Sequence, residues 1–152
     1  MSDDELANFL LAINDLRASA INKVMASLDA AEKIDCVHGC ALEQARIIAD
    51  GIWLDSDKRC RIVSDWVWIE MDVSDQRRAE YQDQGVLPSL IFSKKVVWDS
   101  SGEYTGRVRT SLLSKFSENC IFETRNTFYI LVGRGTKVID DGTLVRDLMS
   151  FI

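Results

Sequence analysis

The stretch Trp66-Val67-Trp68-Ile69-Glu70-Met71-Asp72-Val73 decides the fold. Val67, Ile69, Met71 and Val73 fall on one side of a two-residue repeat, and Trp66, Trp68, Glu70 and Asp72 on the other. That period is a β-strand's, and the carboxylates on the second side predict a face partly in contact with water. The residues before it follow a different period. Leu6, Phe9, Leu10, Ile13, Leu16, Ile21, Val24, Met25 and Leu28 recur at steps of three and four, so a long amphipathic helix is expected from about Asp3 to Lys33. Ser2 and Glu5 have the spacing of a capping box at its start. A second helix is expected over 41–50, with Gly51 as a left-handed C-terminal cap.

Beyond the deciding stretch, Ser74 is placed to cap a short charged helix that Gly85 ends. Strand-like residues then recur between turn signals. Leu90 to Trp98 precedes Asp99-Ser100-Ser101-Gly102, and Glu103 to Leu113 leads to the turn at Ser117-Glu118-Asn119. Cys120 to Val132 is too long for one ordinary strand and is expected to break near Arg125-Asn126. Leu144, Val145, Leu148 and Phe151 mark a last short helix. The expected architecture is α+β: N-terminal helices on an antiparallel β-meander or partly closed barrel, with a short C-terminal helix. We expect one domain over 1–152, helical over 1–50 and mainly antiparallel β over 51–152.

Charge is divided unevenly. Residues 1–88 hold nine Lys/Arg against seventeen Asp/Glu, and residues 89–139 hold eight against four, so the net charge of −6 averages over a dipole. The start, Met-Ser-Asp-Asp-Glu-Leu, is acidic where an export signal would be basic, and no apolar run is long enough for a membrane span. A cytoplasmic protein with reduced cysteines is the expectation.

Chemistry-bearing residues are sparse. The one histidine, His38, lies between Cys36 and Cys40, and two thiols with an imidazole could hold a soft metal, with Cys60 as a fourth ligand. A structural zinc site needs a second pair of ligands, which is absent, so neither metal nor cofactor is expected. Asp55-Ser56-Asp57 opens like a calcium loop, but Cys60 stands where glycine is needed and Trp66 where glutamate is needed. No serine is set in a nucleophile elbow, and Gly133-Arg134-Gly135 lacks the ending of a phosphate loop.

Thr110-Ser111 and Thr124-Arg125-Asn126-Thr127-Phe128-Tyr129-Ile130-Leu131, followed by Gly133, resemble small β modules of bacterial and phage proteins of unknown function. The resemblance spans about the last third of the chain. It implies a prokaryotic accessory protein and carries over no catalytic residue.

Small size, excess carboxylates, four tryptophans and one histidine point to a non-catalytic interaction protein of inhibitor or immunity type that masks a basic site on a partner protein. Its expected contact surface is Asp55, Asp57, Asp65, Glu70 and Asp72, with Trp66 and Trp68. The N-terminal helix is a second candidate seam, for a homodimer. Two alternatives remain at this point. A single-stranded nucleic acid could lie on Arg107, Arg109, Arg125 and Arg134 among Phe92, Trp98, Tyr104, Phe128 and Tyr129. A transferase could use Arg107, Arg109, Ser111 and Glu123.

Overall fold

The structure is a computed structural model that describes residues 2–102 and 106–151, without the side chains of Ala20, Ser150 and Phe151. Glu103 and Tyr104, and the Phe151 side chain expected to dock, lie outside the described residues. The elements are α1 (Asp3–Ala30), β1 (Ile34–Cys36), α2 (Leu42–Asp55), β2 (Arg59–Met71), α3 (Asp75–Asp83), β3 (Ser89–Asp99), β4 (Val108–Arg109), β5 (Lys115–Ser117), β6 (Ile121–Glu123), β7 (Thr127–Leu131), β8 (Gly135–Asp140) and α4 (Thr143–Phe151). The class is α+β, as the sequence periods predict.

The helix starts follow their capping chemistry. The Ser2 hydroxyl accepts from the Glu5 amide at 3.2 Å while the Glu5 carboxylate accepts from the Ser2 amide at 3.0 Å. Ser74 accepts from the Arg77 amide at 3.2 Å and opens α3. The second helix departs from expectation. Gly51 lies inside α2, which continues to Asp55, because Ala45, Ile48, Ala49 and Ile52 maintain a helical apolar stripe across the glycine.

The sheet runs β1-β8-β2-β7-β6-β5, with β3 and then β4 continuing from the other edge of β2. Five of its pairings are antiparallel, whereas β2 runs parallel to both β7 and β8, so the sheet is mixed. Arg59 to Val63 pair with Thr127 to Leu131, and Val67 to Met71 pair with Thr136 to Asp140. One edge of β2 therefore changes partner halfway along.

The strand is kinked at that change. Asp65 has φ of +46°, a left-handed conformation that Asp tolerates better than most side chains. Across from it the buried Ser93 hydroxyl donates to the Ser64 carbonyl at 2.6 Å. The kink reverses the inward and outward phase of β2: Val63 points to the same interior as Trp66 and Trp68, and Cys60 and Ile62 to the same side as Val67 and Ile69. In the fork between β7 and β8 sits Trp66, 1 % exposed, its indole Nε1 donating to the Val132 carbonyl at 3.2 Å. A Cβ on Gly135 would lie 2.3 Å from that indole, which is why the fork needs glycine there.

Three apolar clusters follow from this geometry. The inner one draws on β1 through β7, so the sheet curls around Val63, Trp66, Trp68, Ile91, Phe122 and Leu131. On the opposite face, α2 covers Cys60, Ile62, Cys120 and Ile130, while α1 and α4 cover Val67, Ile69, Leu90, Phe92 and Val138. Leu144, Val145 and Leu148 of α4 are buried in that last cluster as expected. Among the described residues, no helix is long and apolar enough to cross a membrane.

Candidate interaction face

Ala45 and Ala49 let α2 approach the sheet closely, and both are buried. The same helix turns Arg46, Asp50 and Trp53 toward β3 and leaves Ile47 and Leu54 outward. Between α2 and the strands runs a groove of about 410 Å³ lined by Arg46, Ala49, Asp50, Ile62, Val97 and Trp98. A second hollow of about 380 Å³ shares Asp50 and Trp98 with it and adds Trp53, Asp99, Ser100 and Gly102. Ile47 is 73 %, Trp53 61 % and Leu54 83 % exposed. Glu43, Asp50 and Asp55 are exposed on the same helix and Asp57 just after it, with exposed Arg46 as the cation among them.

The floor at the second hollow is fixed by ions. Asp99 accepts from Arg59 Nη2 at 2.6 Å, Arg61 Nε at 2.8 Å and the Ser101 amide at 3.0 Å. Burial alone would push its carboxyl up, but the hydrogen bonds from Arg59, Ser101 and Arg61 outweigh it and hold the group well below the usual carboxylate range. Asp99 is thus an anchor for two cations. Burial also pushes the thiols of Cys60 and Cys120 up to about 12, Cys60 further raised by Asp99 and Cys120 by neighbouring Cys40. Neither is a nucleophile at neutral pH.

The seven residues expected to form a contact surface are distributed along the whole of β2. Asp55 ends α2 and Asp57 follows it, both exposed; Asp65 is exposed at the kink; Asp72 lies beyond the far end of the strand. Glu70 is paired with Lys137 at 3.2 Å. Trp66 and Trp68 are buried, so the face expected to be wet is the curled interior. Only Asp55 and Asp57 stand beside the α2 patch. A helix that ends at Gly51 leaves Trp53 and Leu54 out of view; the unbroken apolar step from Ala45 to Ile52 is the signal that finds them.

The basic residues occupy separate places too. Arg107 is exposed before β4, Arg109 is half-buried opposite Phe92, Arg125 donates to the Gln84 carbonyl at 2.6 Å, and Arg134 lies exposed between β7 and β8. Of the aromatic side chains expected to stack on bases, Phe92 and Tyr129 are buried and Phe128 lies under Lys58 at 4.8 Å, whereas Trp98 lines the groove beside α2, away from these arginines. Glu123 is held by Lys58 at 2.7 Å, while Ser111 is exposed in the segment after β4.

Cys36 and Cys40 end in different clusters, the first in the curled interior and the second against α2. His38 between them packs on Phe116 and Trp68, with ring centroids at 4.6 and 5.4 Å, and its Nδ1 is 2.8 Å from Asn119 Oδ1. Among the described residues, no three His, Cys, Asp or Glu side chains converge as a metal site would require.

No curated protein and no solved structure matches the chain. The span from His38 to Gly142, which holds both walls of the groove and leaves α1 and α4 outside, matches a domain of unknown function, and the chain belongs to that family, DUF6957.

Proposed function

We propose that the protein is a non-catalytic interaction protein whose α2 face covers an apolar site with a basic border on a partner protein, as an inhibitor or immunity-type factor does. The observation that carries this reading is the exposure of Ile47, Trp53 and Leu54 together on one helix, beside a groove and among carboxylates. Trp53 supplies the anchor, since a large rigid ring loses little entropy and excludes much water when it is covered. Asp50, Asp55 and Asp57 steer a basic partner into register, an effect that weakens with salt. The proposed face takes Asp55 and Asp57 from the surface expected on sequence and replaces Trp66 and Trp68, which are buried, with Trp53.

The test compares capture from native-host extract by the immobilised protein and by a Trp53→Ala/Leu54→Asp variant, with quantitative mass spectrometry. A protein held by the first and weakened at least tenfold by the second supports the reading. Equal capture of every bound protein by a folded variant removes α2 as the contact. With the partner in hand, Asp55→Lys/Asp57→Lys should slow association at low salt and leave it little changed at high salt.

A further inference from the structure

We propose that α1 pairs antiparallel with α1 of a second copy, making the protein a homodimer through a surface distinct from α2. The 28 residues of α1 make a rod about 42 Å long. Only its last third enters the body, through Val24 and Leu28 with Met25 beside them. Residues 3–18 are exposed apart from the half-buried Ile13. On this projecting part Leu6 is 46 %, Phe9 52 %, Leu10 51 % and Leu16 71 % exposed.

The spacing of those residues selects the occupant. Leu6 and Ile13 fall on the first core position of two successive heptads, and Phe9 and Leu16 on the second. Turned antiparallel about the level of Leu11, Leu6 meets Leu16 of the second copy and Phe9 meets Ile13, which makes four layers related by a two-fold axis. Charge favours the same orientation. Asp3, Asp4 and Glu5 fill the first turn, and the antiparallel register lays them alongside the turn that carries Arg17. A parallel pair would stack these carboxylates on their own copies and align two helix dipoles. The overlap stops before Ile21, where the helix begins to join its own body, so the two bodies lie at opposite ends without competing for space. Covering these side chains in both copies removes on the order of the ~1,000 Å² that a specific interface requires.

Light scattering after size exclusion, run from about 1 to 200 µM, reads the dimer directly. The mass is expected to rise with concentration from 17.2 kDa toward twice that value, and to stay at 17.2 kDa in Phe9→Asp/Leu16→Asp. Both substitutions fall on the projecting part, and an unchanged denaturation midpoint verifies that the body still folds. Orientation is read by oxidising Leu6→Cys and Leu16→Cys separately and as a mixture. Cross-linked dimer in the mixture alone supports the antiparallel register. Wild-type protein that remains monomeric at the highest concentration leaves the stripe to some other partner and overturns the proposal, as does equal cross-linking of Leu6→Cys with itself.

Discussion

Asp99 carries two arginines on one buried carboxylate, and its protonation therefore has a stability consequence with a definite sign. The folded-state value is depressed, so the contribution is fully present well above the unfolded carboxylate value of about 3.9 and is lost as pH falls through that value toward the folded one. Asp99→Asn should cost about 3–5 kcal/mol at pH 7, where it removes the buried carboxylate that both Arg59 and Arg61 bond. Denaturant titrations of wild type and variant from pH 7 to about 2.5 should narrow the gap between the two stabilities, because only wild type has this carboxylate to lose. A gap as wide in acid as at neutrality would refute that role. Such a residue is not legible in sequence. Asp99 stands in Asp99-Ser100-Ser101-Gly102, which reads as an exposed turn, and only the pairing of Arg61 with Asp99 across β2 and β3 shows the carboxylate enclosed. The tryptophans of β2 were misplaced for a related reason. Alternation separates two faces of a strand, and the curl of the sheet, which no local pattern records, decides that both are covered.

At the scale of the element, α2 contains a glycine that its fold does not need. Gly51 is exposed, helical, and a Cβ there would meet nothing within 4 Å. Gly51→Ala should stabilise the protein by about 0.5–1 kcal/mol, seen as a higher denaturation midpoint. No gain would mean that α2 is already frayed beyond Asp50. Helices were the most legible elements because their signals are local: a capping box at Ser2, a Ser74 cap, and apolar steps of three and four. The β6–β7 break near Arg125-Asn126 was legible for the same reason, and Glu118-Asn119, both at positive φ, form the tight turn between β5 and β6. The short β1 and the glycine-led β8 escaped. Each is made a strand by its neighbours, β1 by β8 and β8 by β2, rather than by a strong period of its own. Parallel pairing is hidden likewise, since it joins Arg59 to Thr127 and Val67 to Thr136.

At the scale of the whole molecule, the uneven charge takes on a structural reading. The acidic first part of the chain and the basic later part meet in Lys94–Asp29 and Lys137–Glu70, so part of the dipole closes within the chain. The α2 face proposed for a partner lies inside the family's shared span, while α1 and α4 lie outside it and pack on each other. The forked strand β2 also sets a timetable for synthesis. Its pairing with β3 can form as soon as residue 99 has emerged, but the opposite edge, with Ile62, Val63, Val67 and Ile69, waits unpaired until residues 127–140 arrive. A chain stopped at residue 126 should give no cooperative denaturation transition and should aggregate, even though it holds α1, α2, α3 and β1 to β6. A sigmoidal transition in that fragment would contradict this order of events. Until its last strands arrive, the growing chain thus keeps one side of its central strand open, and it is in that interval, not in the finished fold, that the protein is most exposed to aggregation.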